Sequence, residues 1–186
     1  LQVRNIDSFV ESRRQKTSEK DRKIVQSILN DVRKNGDSAV KKYERKFNGT
    51  KTSQLRVSEK EIKEAQSKIS NQEREAIQVM RNTLSWQESE YLKILPSYKY
   101  NERDDYIRTA KSFTPIPSVG CYIPGGQARY PSSAVMSVTP AKIAGVKRIV
   151  VVSPPGRDGK IDPLTIAAAK MCGATEIYKV GGAQAI

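Results

Sequence analysis

Residues 118–137, SVGCYIPGGQARYPSSAVMS, lie where the character of the chain changes. The chain before this stretch is charged and has helical periodicity, whereas the part that begins here is apolar and holds nine of the eleven glycines. The apolar run 119–123 predicts a β-strand. Gly125 and Gly126 follow it in a Pro-Gly-Gly turn, which allows a sharp bend and a close approach of the backbone to a neighbour.

A helix is predicted directly after this turn. Pro131-Ser132-Ser133 precedes an apolar segment over 134–144, and serine is a favoured N-cap residue. Pro140 inside that segment predicts a kink or a late start. A strand, a glycine turn and a helix N-terminus in this order indicate a ligand site. The same order also occurs in plain connections, so the residues alone leave both interpretations open.

Strand and helix signals alternate through the rest of the chain. The β-branched run Arg148–Ser153 is typical of a strand buried on both faces of a parallel sheet. Asp162 is a candidate N-cap for the next helix, which Gly173 closes. Residues 176–180 predict another strand, and a Gly-Gly turn toward a new helix follows it. The pattern predicts an α/β fold with a Rossmann-like parallel β-α-β-α unit, whose ligands bind outside the carboxyl ends of the strands.

The first part of the chain is predicted to be helical. Helix starts and ends are marked by Ser18, by two capping boxes and by glycines, namely Ser58 with Glu61, Ser70 with Glu73, Gly36 and Gly49. The last helix should end near Leu92, and residues 106–113 should be extended. We therefore divide the chain into a helical region over 1–111, which packs on the rest of the protein, and an α/β domain over 112–186.

Composition limits the classes of protein. No apolar run approaches the length of a membrane span, and the first residues are too polar for a signal peptide, so we expect no membrane segment and a cytoplasmic location. Cys121 and Cys172 are the only cysteines, and they lack a metal-ligand spacing. The chain has no histidine, the usual zinc ligand and general base.

The net charge of +13 raises the question of nucleic acid. Residues 1–111 hold 25 basic and 17 acidic residues, and residues 112–186 hold eight and three, so the charge is spread and mixed. The densest basic cluster lies around Glu44 on a helix that has an apolar face, and a solvated helix face explains it. We therefore do not expect nucleic acid to be the main partner.

Two long segments carry a resemblance to a known family. GCYIPGGQARYPSSAVMSVTPAKIAGVKRIVVVSPP, residues 120–155, and IDPLTIAAAKMCGATEIYKVGGAQAI, residues 161–186, resemble histidinol dehydrogenase in order and nearly in spacing. That family is zinc-dependent and oxidises L-histidinol through L-histidinaldehyde to L-histidine, with two NAD molecules in succession. It is usually a homodimer. The resemblance implies L-histidinol as substrate and NAD and zinc as cofactors.

The resemblance also implies roles for individual residues. Tyr122 and Gln184 take the positions of NAD contacts, and each offers hydrogen-bonding groups beside a glycine turn. Gly125 and Gly126 shape the first turn, and Gly181 and Gly182 shape the second. Tyr122 and Gln184 could instead brace the loop or helix next to them.

The resemblance assigns no catalytic residue and no metal ligand to residues 1–186. The zinc ligands, the Glu-His base pair and the substrate-binding residues of the family all follow the position of Ile186. Because the chain also begins at Leu1 and ends where a helix begins, we expect a piece of a longer chain with an incomplete α/β domain. This piece should be inactive alone. Alternatives are a relative that oxidises another small alcohol, such as a sulfonated diol, and a non-catalytic basic module that binds nucleotides or nucleic acid.

Overall fold

The computed structural model describes residues 18–50, 54–95, 98–101, 108–125 and 128–186. Gly126, one of the predicted loop-shaping glycines, lies outside these residues. In chain order the elements are α1 (Glu19–Asn35), α2 (Asp37–Asn48), α3 (Glu59–Lys68), α4 (Asn71–Ile94), β1 (Tyr98–Asn101), β2 (Arg108–Lys111), β3 (Ser118–Tyr122), α5 (Pro131–Ile143), β4 (Arg148–Ser153), α6 (Pro163–Cys172), β5 (Glu176–Lys179) and a final 3-10 turn (Ala183–Ala185).

The caps predicted for the first four helices are confirmed. The Ser18 hydroxyl accepts a hydrogen bond from the Asp21 amide at 3.1 Å. Both capping boxes are present, one at the start of α3 and one at the start of α4. In each box a serine hydroxyl and a glutamate carboxylate satisfy backbone amides that have no partner inside the helix. Local sequence therefore predicts where α1, α3 and α4 begin, and α4 ends two residues later than expected.

The parallel sheet is confirmed. Strands β3, β4 and β5 are parallel neighbours in that order, with Cys121 opposite Val151 and Val151 opposite Ile177. The bounds of β4 agree with the prediction, and α5 and α6 connect consecutive strands. Strand β2 lies in the segment expected to be extended, but its antiparallel partner β1 was not predicted.

The predicted start of α5 is wrong. The helix begins at Pro131 with Tyr130 as its N-cap, and no side chain caps it, so Ser132 and Ser133 lie within the first turn. Proline suits that first position because its φ is already helical and its missing amide proton would have no partner there. Pro140 lies inside the continuous helix and does not delay its start.

One core joins the helices to the sheet. Alternate residues of β4, Ile149 and Val151, are fully buried and belong to the same apolar cluster as Ile77 of α4 and Ile62 of α3. Helix α4 packs against α5, and α3 packs against α6. The helical region and the α/β unit thus bury one face of the sheet together. The domain boundary near residue 111 stays a prediction.

The segment before α3 covers the outer edge of β5. The Val57 amide donates to the Ile177 carbonyl at 2.8 Å, and the Lys179 amide donates to the Leu55 carbonyl at 2.7 Å. Leu55 also belongs to a small cluster with Val40 of α2 and Val180. These contacts place α2 beside the turn that follows β5.

An ion pair joins β4 and β5 where these strands begin. The Arg148 guanidinium donates to both carboxylate oxygens of Glu176, at 2.6 and 3.3 Å, and the Tyr178 hydroxyl donates to the same carboxylate at 2.7 Å. The hydrogen bonds from Arg148, which have the larger effect, and from Tyr178 lower the pKa of the Glu176 carboxyl group from 4.5 to about 2.

We expect Glu176→Gln to reduce the loss of stability in acid. The lowered pKa means that the Glu176 carboxylate stabilises the fold fully above pH 4.5, and that this contribution is lost as the pH falls toward 2. Acid unfolding followed by circular dichroism should show a flatter pH dependence for the variant. The exposed Glu75→Gln is the matched control. If the stability of Glu176→Gln fell with pH below 4.5 as steeply as that of the wild type, a stabilising role of the Glu176 carboxylate would be contradicted.

Candidate functional site

The turns after the three parallel strands meet around Pro154, which directly follows β4. A Cβ atom added to Gly181 would lie 2.5 Å from Pro154 Cβ. A Cβ atom added to Gly125 would lie 2.9 Å from Ser153 Oγ and 3.1 Å from the Pro154 carbonyl oxygen. Real Cβ atoms do not approach as closely as 2.5 Å, so Gly181 must be glycine for this packing, whereas a side chain at Gly125 would require Ser153 and Pro154 to shift. The turn after β3 and the turn after β5 therefore both pack against Pro154.

Tyr122, the last residue of β3, reaches the second glycine turn. The Gly182 amide donates a hydrogen bond to the Tyr122 hydroxyl oxygen at 3.2 Å. The side chain remains 41% exposed, and its hydroxyl proton is left to donate elsewhere. Gly182 has φ +63°, a left-handed conformation that favours glycine. Tyr122 and Gly182, which the family resemblance places at one site, are therefore in direct contact.

Gln184 lies behind the same turn and is buried. It is 4% exposed, and its side-chain Nε2 donates to the carboxylate of Glu44 at 2.8 Å. No described residue donates to its Oε1 atom, which is also buried. A buried acceptor without a donor is costly, and in native structures it usually has a partner such as a ligand or a water.

Glu44 is the residue that sequence reasoning missed. The side chain is fully buried, and it accepts hydrogen bonds from the Gly181 amide at 2.8 Å and from Asn48 Nδ2 at 2.6 Å, besides Gln184. The charge pattern alone predicts a solvated basic face there. A signal was available, since Val40, Tyr43 and Glu44 have the i, i+3, i+4 spacing of one helix face, which the structure buries.

Two cavities adjoin these turns. One, of about 410 Å³, lies between α2, the segment before α3 and the end of β5, and Gln184 lines it together with Val152 and Tyr178. The other, of about 360 Å³, is lined by Gly125 and by the loop between β4 and α6. Both volumes fall in the range of small-molecule sites.

The described residues offer neither a metal centre nor an activated thiol. Within the part of the chain that the structure describes, no three histidine, cysteine, aspartate or glutamate side chains lie close enough to hold a metal ion. Burial raises the pKa of the Cys121 and Cys172 thiols, which keeps them protonated and poorly nucleophilic. None of the described helices is both long and apolar enough to span a membrane.

Comparison with known proteins identifies the family. The sequence model of histidinol dehydrogenase matches residues 11–186. The chain belongs to the histidinol dehydrogenase family. A histidinol dehydrogenase from Bacillus licheniformis is 46% identical over 169 residues, which cover 91% of this chain and 39% of that protein. The histidinol dehydrogenase of Bacillus subtilis is 40% identical over 169 residues, with the same coverage.

The fold agrees with that of a solved histidinol dehydrogenase. The crystal structure of the enzyme from Elizabethkingia anophelis superposes with a TM-score of 0.82 at 30% identity, over 88% of this chain and 37% of that one. The chain thus spans well under half the length of the histidinol dehydrogenases that it matches. None of these relatives favours a nucleic-acid-binding module or a different alcohol dehydrogenase.

We expect Gly181→Ala to destabilise the site and the fold. The added methyl group would overlap Pro154, and relieving that overlap should lower the free energy of unfolding by about 1–3 kcal/mol. Chemical denaturation measures this change. Gly120→Ala is the matched control, because a Cβ atom at Gly120 in β3 would meet nothing within 4 Å. Equal effects of the two substitutions would show that the close packing on Pro154 is not needed.

Proposed function

We propose that this chain is the cofactor-positioning part of a histidinol dehydrogenase, which oxidises L-histidinol through L-histidinaldehyde to L-histidine with NAD. The observation that carries the proposal is the buried Oε1 of Gln184, which has no donor among the described residues and lies against Gly182, the residue whose amide donates to Tyr122 where the parallel strands end. Ligands of open α/β sheets bind at this edge. Membership of the histidinol dehydrogenase family supports the choice of reaction.

The described residues fit part of a dinucleotide. Tyr122 supplies an exposed aromatic ring and a free hydroxyl proton, and Gln184 supplies an acceptor. Gly125 and Gly181 allow the turns to pack closely, which fixes where those two groups lie. When bound, NAD would accept the hydride. In this proposal the residues of the chain orient the cofactor and do not take part in the chemical step.

The described residues do not fit the zinc ion that the family resemblance implies. No ligand cluster is present among them, and the sequence contains no histidine to act as ligand or base. We therefore derive no step through zinc and assign no proton transfer to this chain. The cytoplasmic location stays a prediction.

The proposed activity can be tested with a chimera. We expect the 186-residue chain alone to show no turnover of L-histidinol with NAD and zinc, because it holds no base and no metal site among its described residues. A chimera in which this chain replaces the matching segment of the Bacillus licheniformis enzyme should reduce NAD with L-histidinol. The unmodified Bacillus enzyme is the positive control, and reduction of NAD is followed by absorbance.

Two results would contradict the proposal. One is turnover by the 186-residue chain alone. The other is a folded chimera that fails with L-histidinol while the parent Bacillus enzyme works.

We also propose that a second copy of the protein covers the outer surface of α4. Trp86 and Tyr91 of this helix are 69% and 57% exposed. Val79 and Ile94 of the same helix are 59% and 70% exposed. Large apolar side chains exposed together mark interaction surfaces more often than single ones do. A homodimer would bury them.

Sedimentation velocity tests this surface. We expect Trp86→Glu to shift the protein toward monomer, because burying a new carboxylate in an apolar interface is costly. Gln87→Glu adds the same charge at the next, also exposed position and is the control. A wild-type chain that stays monomeric at all concentrations would contradict a dimer through α4.

A further inference from the structure

The glycine turn after β5 follows a parallel strand, as a phosphate loop does, but its hydrogen bonds are not those of a phosphate loop. In a phosphate loop, free backbone amides point at the anion. Here the Gly181 amide donates to the Glu44 carboxylate at 2.8 Å, and the Gly182 amide donates to the Tyr122 hydroxyl at 3.2 Å. Both amides are occupied within the protein. A buried carboxylate directly behind the turn would also repel an anion.

Glu44 fixes the orientation of the Gln184 side chain. The two ends of a glutamine amide have almost the same shape, so packing alone does not decide which end faces which neighbour. A carboxylate accepts hydrogen bonds and does not donate them, so the Gln184 Nε2 must face Glu44. The Oε1 atom then lies against Gly182, 2.8 Å from where a Cβ atom would be, and it has no donor among the described residues.

No cation neutralises Glu44 among the residues that the structure describes. The ion pairs found there do not include it, although Lys41 and Lys42 lie on the same helix. Instead, three N–H donors converge on its two oxygens, from Gly181, Gln184 and Asn48. Hydrogen bonds to a charged acceptor are about twice as strong as neutral ones, so this arrangement holds the turn and the amide firmly.

We propose that Glu44 is a positioning residue that makes Gln184 a hydrogen-bond acceptor for the bound cofactor. The group that binds here must bring a donor, such as a ribose hydroxyl or a carboxamide N–H, and a phosphate group is excluded from this turn. This inference rests on the proposed function for the identity of the cofactor. The assignment of donor and acceptor rests on the hydrogen bonds alone.

Glu44→Leu tests the inference because it removes the acceptor that orients Gln184. The Gly181 amide and the Gln184 Nε2 both donate to the same oxygen of Glu44, Oε1. Without that oxygen the Gln184 amide is free to turn, and it no longer offers a fixed acceptor to the cofactor. In the chimera, we expect the KM for NAD to rise about tenfold with kcat within about twofold. Glu75→Gln, which removes a carboxylate from an exposed helix position, should change neither.

Glu44→Gln separates positioning from simple support of the fold because it removes the charge and keeps the acceptor. Its side-chain oxygen must face the Gly181 amide, so the same oxygen still accepts from the Gln184 Nε2, and its NH₂ group faces Asn48 instead. The KM for NAD should therefore stay within about twofold of the wild-type value. A Glu44→Gln chimera with a wild-type unfolding midpoint but a raised KM would overturn the inference, as would an unchanged KM in a folded Glu44→Leu chimera.

Nuclear magnetic resonance of the 186-residue chain gives a test that does not depend on activity. Glu44→Leu should shift the side-chain amide signals of Gln184, and inorganic pyrophosphate should leave the backbone amides of Gly181 and Gly182 unmoved in the wild type. Pyrophosphate-induced shifts at both glycines would overturn the exclusion of phosphate. If the wild-type chimera is inactive, the proposed function fails, and these spectra alone decide the role of Glu44.

Discussion

The candidate site depends on the burial of one carboxylate. Removing Glu44 from water is unfavourable unless donors replace the lost hydration, and here the donors are the glycine turn, Gln184 and Asn48. The same hydrogen bonds hold helix α2 against the end of β5. Stability of the fold and geometry of the site therefore rest on the same set of contacts, and a change that affects one affects the other.

The sequence predicted the elements well where the signal is local. Serine-glutamate boxes, the β-branched strand β4 and the Asp162-Pro163 helix start each depend on residues within four positions, and all three are confirmed. The start of α5 was wrong because Ser132 and Ser133 offered caps, whereas Pro131 fits the first turn better. The candidate site was harder to predict from the sequence. Tyr122 and Gln184 came from a family resemblance, and the partner that orients Gln184 lies 140 residues away along the chain.

Glu44 shows why such partners are missed. A glutamate flanked by lysines and arginines indicates a solvated surface, and charge is normally excluded from an apolar stripe. The stripe formed by positions 40, 43 and 47 continues through position 44, but its meaning depends on what packs there. That neighbour is the turn after β5, which no local pattern connects to α2. Buried polar residues of this kind become interpretable only when the tertiary structure supplies their donors.

Helices α1 and α2 should detach from the protein before the parallel sheet unfolds. Their apolar contacts form two small clusters, around Tyr43 and around Val40, separate from the main cluster that supports the sheet. Segments with few buried contacts open locally at lower free energy than the whole molecule unfolds. Detachment of α1 and α2 would leave the sheet folded but would release the turn after β5. Warming the protein should therefore weaken binding of the proposed cofactor before it melts the α/β core.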